Sequence, residues 1–410
     1  MNRTPLVPID IAACQSPEEL LAAIAPVMHY FGGATPPLDP TRFLPFIEPS
    51  RGFVAREAGA LVGGCASFPF ELTVPGGTVR AAGLSVVGVL PTHRRRGILR
   101  GMMRAQLDDV HRRGEPVGIL WASEDTIYGQ FGYGMASVSG DIELAKSATA
   151  FARPLESGGE FQILGEAEAL APFATVYERV RVAQPGMIAR NPDWWRSRRL
   201  ADPENRRQGG GELNRVLLTL DGRPAGYALY RIFPHFESGS TSGHVQVIEA
   251  IGATAEATRD IWRLVLDIDW VARVKASLLP VDHPLFFLLA RPREMKFRVH
   301  DGLWVRLVDL SAALAARRIG EGEPVVIEVA DAFCPWNAGR WRVSPSGAER
   351  TTADAELACD VTALGSVYLG GFSFRQLARA GRVTEAGERA AERADALFPA
   401  DRAPWCPEIF

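Results

Sequence analysis

The sequence lacks the cysteine pattern of a disulfide-linked or zinc-binding protein. Its five cysteines are odd in number and widely spaced, and no CxxC pair or cysteine–histidine cluster has the spacing of metal ligands. A disulfide framework needs paired cysteines, and a structural zinc site needs ligands at short intervals. We therefore expect reduced, buried thiols, no bound metal and a cytoplasmic protein.

Long apolar runs and a charge of one sign are also missing. Residues 1–10 have no long apolar core and do not resemble a signal peptide, and the apolar run 285–289 is too short to span a bilayer. The 45 lysines and arginines nearly balance the 48 aspartates and glutamates, which leaves a net charge of −3. This balance argues against bulk binding to nucleic acids or anionic membranes.

One local concentration of positive charge interrupts this balance. An apolar, β-branched strand over residues 84–90 leads through a proline into Arg94, Arg95, Arg96 and Gly97, and a helical pattern begins directly afterwards. The unpaired N–H groups and the positive dipole end of a helix start attract anions. Arginines add charge and forked donors, and glycine lets a ligand approach the backbone. The pattern predicts a pyrophosphate-binding site.

The elements around this turn predict an α/β domain. At 410 residues the chain exceeds a single core, so two or three domains are expected. Residues 52–72 have the pattern of a β-hairpin and 81–90 that of a further strand. The helix after Gly97 ends near Gly114, and the apolar run 117–121 predicts a buried strand. In this order the helix crosses over one face of a sheet.

The same order of elements recurs later in the chain. A hairpin is predicted over residues 216–232, a strand over 245–251 and a helix over 255–267. The turn before this second helix reads Thr254-Ala-Glu-Ala, without the arginines or the glycine. A turn of this kind should not bind pyrophosphate, so we expect a degenerate structural repeat.

The last part of the chain predicts a mixed α+β domain. Strand patterns cover residues 303–308, 325–329 and 340–343, and helical patterns begin near Asp360 and run from 384 to 397. Apart from the C-terminal end, nothing in this region is typical of a catalytic site.

A second functional pattern follows the last strand of the first α/β unit. Ser123 is a suitable N-cap for a short helix, with Glu124 and Asp125 favourable in its first turn. Tyr128 would then lie on that helix, and Gly132 would end it.

Together these patterns resemble the GNAT acetyltransferases and, more closely, the enhanced intracellular survival (Eis) family among them. The segments that carry the resemblance cover nearly the whole chain: Gly83-Leu-Ser, Pro91-Thr-His-Arg-Arg-Arg-Gly97, Ala122-Ser-Glu, Ile127-Tyr-Gly, Phe131-Gly-Tyr-Gly, Tyr227-Ala-Leu-Tyr-Arg, Gly302-Leu-Trp and Leu364-Gly-Ser-Val-Tyr-Leu-Gly370. The resemblance implies tandem GNAT-like α/β domains over residues 1–150 and 151–299, the second one degenerate, and an α+β sterol-carrier-protein-like domain over 300–410. It also implies a homohexamer that acetylates amines of aminoglycosides and some protein lysines, with acetyl-CoA as co-substrate.

The resemblance also implies roles for individual residues. Tyr128 is the candidate general acid that protonates the leaving sulfur. The terminal carboxylate of Phe410 is the candidate base, with Glu408 as a second candidate. Strand amides and the arginine–glycine turn are expected to bind acetyl-CoA, through Val87, Gly88, Val89, Arg94, Arg95, Arg96, Gly97, Ile98 and Leu99. Since Leu99 replaces the small residue of most GNAT turns, phosphate binding depends more on the backbone and the arginines.

The candidate substrate pocket is more apolar than that of aminoglycoside-acetylating members. It comprises Val86, Trp121, Ser123 and Glu408. By the resemblance, Val86 replaces a phenylalanine, Trp121 a histidine and Ile409 a penultimate glutamate. Because the loss of carboxylates weakens the attraction for polycations, the predicted acceptor is an aminoglycoside-type amine or another, more hydrophobic amine.

Two other functions fit parts of the sequence. A protein that only binds coenzyme A or a lipid would need neither an intact Tyr128 nor an unextended C-terminus. Nucleic-acid binding through residues 94–96 conflicts with the net charge of −3. An N-acetyltransferase therefore agrees best with the sequence.

Overall fold

The chain folds into two compact units, each built from separate stretches of sequence. A computed structural model describes residues 8–32, 42–154, 158–237 and 239–410. Unit 1 combines Met1–Ala136, Leu303–Asp401 and Ile409–Phe410, whereas unit 2 combines Ser137–Gly302 and Arg402–Glu408. Residues 1–7, which belong to the segment predicted not to be a signal peptide, lie outside the described residues.

In its described residues, the first section of unit 1 contains six strands and three α-helices. Its elements are β1 (Ile9–Ala13), α1 (Pro17–Met28), β2 (Gly52–Glu57), β3 (Ala60–Val74), β4 (Gly77–Val89), α2 (Ile98–Arg112), β5 (Val117–Trp121), α3 (Asp125–Tyr128) and β6 (Gly134–Met135). The predicted hairpin, strand, crossover helix and buried strand are confirmed as β2–β3, β4, α2 and β5.

Unit 2 follows a similar order. Its elements are β7 (Val138–Ala145), β8 (Glu160–Ile163), α4 (Glu166–Arg181), α5 (Pro192–Trp194), β9 (Asn214–Leu220), β10 (Arg223–Phe233), β11 (Phe236–Glu237), β12 (Ser240–Thr241), β13 (His244–Gly252), α6 (Ala255–Asp267), β14 (Arg273–Leu279), α7 (Leu285–Leu288) and β15 (Arg298–Asp301). The predicted repeat is confirmed by the hairpin β9–β10, the strand β13 and the helix α6.

The last section returns to unit 1. Its elements are β16 (Leu303–Leu307), α8 (Leu310–Ala316), β17 (Val325–Ala330), β18 (Gly339–Ser344), β19 (Gly347–Arg350), β20 (Leu357–Asp360), α9 (Val361–Tyr368), α10 (Phe374–Arg379), β21 (Val383–Glu385) and α11 (Ala390–Leu397). The prediction of a helix over residues 384–397 was wrong in its first part, because Val383–Glu385 pairs with β20 as a strand. Tertiary hydrogen bonding overrides the helical pattern there.

The main sheet of unit 1 has seven strands in the order β1-β2-β3-β4-β5-β16-β6. Strand β16, predicted within the last region, pairs antiparallel with β5, from Leu303 opposite Trp121 to Leu307 opposite Val117. Helix α2 buries Ile98 and Met102 in the core of this unit, whereas Leu99 is only partly buried. A second sheet, of five strands, has the order β19-β18-β17-β20-β21.

The sheet of unit 2 also has seven strands, in the order β15-β7-β14-β13-β10-β9-β8. Helix α6 contributes Ile261, Trp262 and Val265 to its core. Among the described residues, no helix has both the length and the apolar character needed to cross a membrane.

Candidate active site

The two parallel strands at the centre of the unit 1 sheet separate at the candidate site. Strand β4 pairs with β5 only where residues 81–83 lie beside 117–119. Beyond this point the pairing of β4 with β3 skips from Ser85 to Gly88, and Val86 has a φ of 51°. This irregularity is a β-bulge, which bends the bulged strand. An opening therefore forms between the ends of β4 and β5.

The backbone of β4 beyond the bulge faces this opening. The N–H of Leu90 donates to the carbonyl of Val62 at 2.9 Å, so Leu90 faces the neighbouring strand β3. Successive residues of a strand direct their backbone groups to opposite sides, so Val89 faces away from β3. The hydroxyl of Tyr30 donates to the Val89 carbonyl at 2.7 Å, in agreement with this direction. The N–H of Val89 is therefore directed toward the opening.

The turn before α2 leaves the start of that helix accessible. Arg95 and Gly97 have φ values of 61° and 80°. Gly97 occupies the N-cap position without a side-chain cap, and a Cβ atom built on it would meet no described atom within 4 Å. A positive φ beside open space favours glycine, and the first N–H groups of α2 remain available to an anion.

The three arginines of the turn have different environments. Both Nη atoms of Arg96 donate to the carboxylate of Glu57, and His93 Nε2 lies 3.0 Å from the same carboxylate. The hydrogen bonds from Arg96 hold the pKa of Glu57 below its usual range. Arg94 and Arg95 are exposed and have no ion pair or hydrogen bond with any described residue. Arg94 and Arg95 therefore present uncompensated charge at the helix start, and Arg100 in the first turn of α2 adds an exposed charge whose guanidinium lies 5.2 Å from the centroid of the Phe333 ring.

Tyr128 lies at the end of α3 with its side chain in the core. Its ring packs edge-on to Tyr133, with 6.1 Å between centroids. Burial, with a smaller contribution from nearby Cys65, raises the pKa of Tyr128 to about 12. No described residue hydrogen-bonds its hydroxyl, so the phenol keeps a proton that it can donate.

The ends of α3 agree only in part with the sequence prediction. Gly132 adopts a φ of 87° and ends the short helical segment, as predicted. Ser123 does not cap α3: the N-cap residue is Glu124, whose side chain makes no capping hydrogen bond. Ser123 is exposed.

Phe410 packs against the aromatic side chains of β3. Its ring centroid lies 4.8 Å from that of Phe70 and 6.3 Å from that of Phe68. A Cβ atom built on Gly83 would lie 3.1 Å from the Phe410 ring, and Gly83 is the last residue of β4 that pairs with β5. The terminal carboxylate forms no ion pair or hydrogen bond with the described residues.

Tyr128 and Phe410 belong to opposite faces of the unit 1 sheet. Leu84 shares the buried core that contains Tyr128, whereas the Cβ direction of Gly83 points to Phe410. Adjacent residues of a strand direct their side chains to opposite faces. The opening between β4 and β5 begins next to Gly83 and Leu84. A ligand in this opening would therefore have the Tyr128 phenol on one side of the sheet and Phe410 on the other.

The other predicted pocket residues flank the opening. Val86 is half-buried at the bulge, and Trp121 ends β5. The indole N–H of Trp121 is buried without a hydrogen-bond partner among the described residues. Ile409 is 59% exposed.

Glu408 is engaged by other side chains, which corrects its prediction as a base and pocket residue. Within unit 2 it is buried, and its Oε1 accepts hydrogen bonds from Trp194 Nε1 at 2.9 Å and from Arg199 Nε at 2.8 Å. Arg190 Nε lies 2.5 Å from the same oxygen. A buried carboxylate whose oxygen is already engaged by an indole and two guanidinium groups is not open to an acceptor amine. No local pattern in the sequence indicates these partners, because they lie more than 200 residues away.

The features of the opening fit an extended ligand that ends in a pyrophosphate. The Val89 N–H suits an amide or carbonyl oxygen, and the open start of α2 with Arg94 and Arg95 suits phosphate oxygens. Among the described residues, no group of three or more histidine, cysteine, aspartate or glutamate side chains could hold a metal ion.

Three family profiles match the chain. An acetyltransferase (GNAT) domain matches residues 15–136, and a second acetyltransferase (GNAT) domain matches residues 186–307. A sterol carrier protein domain matches residues 310–407.

Individual relatives cover nearly the whole chain. An uncharacterized N-acetyltransferase of Streptomyces coelicolor is 41% identical over 94% of this chain and 95% of its own length. The N-acetyltransferase Eis of Mycobacterium bovis is 34% identical over 87% of this chain and 88% of its own length. The crystal structure of Eis1 from Mycobacterium abscessus superimposes with a TM-score of 0.84 at 36% identity, covering 98% of this chain and 100% of that one.

Proposed function

The chain belongs to the Eis family of GNAT N-acetyltransferases, and on this premise we propose that it transfers the acetyl group of acetyl-CoA to an amine. The observation that carries the proposal is the open start of α2 beside Arg94 and Arg95, next to a strand opening that contains an inward-directed amide. A protonated, buried tyrosine in the same unit adds the proton donor that transfer requires.

Each residue contributes one operation in this proposal. Acetyl-CoA, when bound, supplies an activated thioester. The N–H of Val89, with that of Val87 two residues before it, binds oxygens of the acyl arm and stabilises negative charge on the carbonyl oxygen. Gly88, which is paired with Gly64, directs its backbone groups toward β3 and contributes through its small size. Tyr128 provides the proton for the departing sulfur. The carboxylate of Phe410 takes the proton of the acceptor amine, which attacks in its neutral form.

The acceptor that we propose is an aminoglycoside-type amine or another, more hydrophobic amine. The ring of Phe410 packs on the buried rings of Phe68 and Phe70, so the surroundings of the terminal carboxylate are apolar. Ile409 has no carboxylate in its side chain. The carboxylate of Glu408 is already paired with Arg190 and Arg199. Because neither residue 408 nor residue 409 supplies an uncompensated carboxylate, we expect a singly charged amine with an apolar body to react faster than a polycation.

Release of coenzyme A thiol from acetyl-CoA tests the proposed function. The enzyme is assayed with aminoglycosides, polyamines, hydrophobic amines and lysine peptides, each at equal amine concentration. We expect thiol release that requires one amine class and yields the acetylated amine by mass spectrometry. Tight binding of coenzyme A without release for any amine would favour the alternative, a protein that binds coenzyme A or a lipid without transfer.

Removing the two exposed turn arginines should weaken acetyl-CoA binding. For Arg94→Ala with Arg95→Ala we expect KM for acetyl-CoA to rise about tenfold to thirtyfold, because two charge-assisted contacts to phosphate oxygens are lost. The wild-type KM should also increase with ionic strength.

Arg112→Ala is the matched control for this pair. Arg112 is a 71% exposed arginine at the far end of α2, where it pairs with Asp109. Its removal should leave KM for acetyl-CoA within about twofold, since the side chain lies four helical turns from the anion site. An equal rise of KM in both variants would refute a specific phosphate contact.

Two further properties belong to this proposal. The family resemblance predicts a homohexamer, which sedimentation of the purified protein would measure directly. It also predicts that the acceptor, whether a small molecule or a peptide, reaches the enzyme in the cytoplasm.

A further inference from the structure

We propose that a buried cluster of Arg190, Arg199, Glu249 and Glu408, here called the tail anchor, positions the terminal carboxylate of Phe410 for catalysis. The inference rests on the proposed function, since the anchor acts only through that carboxylate. Its members are positioning residues, because none of them carries the reacting proton.

The first half of the tail anchor holds the C-terminal segment itself. Glu408 accepts from Trp194 and Arg199, and Arg190 Nε lies 2.5 Å from the same oxygen. Arg199 Nη2 also donates to the backbone carbonyl of Pro407. One guanidinium therefore binds both the side chain and the main chain of the tail, which restrains its position and its direction.

The second half of the tail anchor fixes the arginines. Arg190 donates from both Nη atoms to Glu249, at 2.9 and 2.5 Å, and Arg199 Nη2 donates to Glu249 at 3.1 Å. The Tyr227 hydroxyl donates to Glu249 at 2.5 Å, and the Arg190 guanidinium lies 3.8 Å from the centroid of the Tyr177 ring. These contacts leave the arginines a single geometry in which to receive Glu408.

The cluster balances two positive and two negative charges inside the protein. The side chains of Arg190, Glu249 and Glu408 are 0%, 1% and 3% exposed. If the tail detaches, it takes the Glu408 carboxylate with it. The two guanidinium groups of Arg190 and Arg199 then share only the Glu249 carboxylate, which leaves a net positive charge in a desolvated site. The tail is therefore strongly favoured in its bound position.

The tail anchor lies beside an opening between strands β13 and β14 of unit 2. By its place in the repeat, this opening corresponds to the one between β4 and β5 of unit 1. Strands β13 and β14 pair in parallel only from His244 beside Arg273 to Val247 beside Ala276. A cavity of about 300 Å³ lies beyond, and its lining includes residues of both strands and Trp405 of the tail.

Backbone contacts hold the same segment at this opening. The Trp405 indole donates to the Leu278 carbonyl at 2.5 Å, and its backbone N–H donates to the Pro185 carbonyl at 2.8 Å. The start of α6 is closed by its own Thr254 side chain, which accepts from the Ala257 N–H at 3.1 Å. The degenerate domain therefore uses its opening to hold the tail instead of an anion.

The covalent chain transmits this restraint to the terminal carboxylate. Only Ile409 separates Glu408 from Phe410, and two residues span at most about 7 Å. Chain termini that are not bound elsewhere fray in solution. With Glu408 held by the tail anchor and the Phe410 ring held on Phe70, the covalent chain restrains the backbone on each side of Ile409 and with it the terminal carboxylate. Such confinement raises the effective concentration of a base.

A double-mutant cycle tests the inference. Glu408→Gln keeps the shape of the side chain but removes its charge, and a glycine added after Phe410 displaces the terminal carboxylate. We expect Glu408→Gln to lower kcat about tenfold with KM for acetyl-CoA unchanged. In the glycine-extended chain the same substitution should lower kcat less than twofold further, because the anchored group is already displaced. Carboxypeptidase should also release Phe410 faster from the Glu408→Gln protein.

Two further variants control for folding. Asp202→Asn disrupts another poorly exposed ion pair of unit 2, with Arg231 at 2.5 Å, that does not involve the tail, and it should leave kcat unchanged. Arg199→Lys retains the positive charge and loses the forked contact to Pro407. If Glu408→Gln fails to fold, Arg199→Lys takes its place in the test. We expect this variant to lower kcat by less than the loss of about tenfold expected for Glu408→Gln.

The outcomes separate this inference from the proposed function. If the glycine extension alone leaves kcat unchanged, Phe410 is not the base and the inference fails, whereas the proposed acetyl transfer stands. The proposed function fails only if the unmodified chain releases no thiol with any amine. If the extension lowers kcat but the anchor variants do not, or if their losses multiply in the extended chain, the inference alone is overturned. Losses of kcat that vanish in the extended chain support it.

Discussion

Replacing Tyr128 by phenylalanine should lower kcat by about two to three orders of magnitude, within the range that a positioned general acid contributes. KM for acetyl-CoA should stay within about threefold, because the ring remains in the core and only the hydroxyl is lost. Steady-state thiol release, with the best amine of the panel, measures both constants.

The pH dependence of the wild-type enzyme provides a second check on Tyr128. Burial raises its pKa to about 12, so the phenol stays protonated throughout the range in which the protein can be assayed. A group with a raised pKa loses its proton only as the pH rises through that value. We therefore expect no loss of activity from this group between pH 7 and about pH 10.

Tyr133→Phe is the matched control for Tyr128→Phe. Tyr133 is a fully buried neighbour in the same segment, and its hydroxyl has no hydrogen-bond partner among the described residues. Removal of that hydroxyl should leave kcat within about twofold and the stability unchanged or increased. Equal losses of kcat in the two variants would show that packing, and not proton donation, is responsible.

A single glycine added after Phe410 should lower kcat by about two orders of magnitude. The addition turns the carboxylate into a neutral amide and places the new carboxylate about 3.5 Å further along the chain. Misplacement of a catalytic group by this distance removes most of its contribution. Binding of coenzyme A, measured by calorimetry, should be retained, because the turn before α2 is unchanged.

Phe410→Leu distinguishes the carboxylate from the ring in this experiment. The leucine variant keeps the carboxylate at the same position in the chain and loses the aromatic contacts to Phe70 and Phe68. We expect a loss of kcat below about tenfold. A larger effect than that of the glycine extension would mean that the terminal residue acts by packing alone.

The local elements around the site were predictable because their signals lie within a few residues of one another. Helix α6 begins and ends at the predicted residues 255 and 267, and the β9–β10 hairpin surrounds the predicted turn. The glycine at the start of α2 has the predicted open approach. The prediction of a helix failed over residues 384–389: a partner strand determines the conformation of 384–385, and α11 begins only at Ala390.

The sites of long-range charge pairing were not predictable. Arg96 is paired with Glu57, 39 residues earlier, so it differs from Arg94 and Arg95 although the three are consecutive. Glu408 lies two residues before a candidate base, yet its carboxylate is bound by Arg199, 209 residues earlier. Neither pairing leaves a trace in the spacing of the sequence.

The sequence by itself determined the arginine–glycine turn proposed to bind an anion, the tyrosine-bearing helix, the order of elements in both repeats and the family. Short-range sterics and hydrogen bonding control these features, and each is completed within one turn or one hairpin. Only the tertiary structure decided which arginines remain uncompensated, that β16 joins the first sheet and that Glu408 anchors the tail. These depend on which distant groups are buried together, because a buried charge is stable only beside the partner that the fold brings to it.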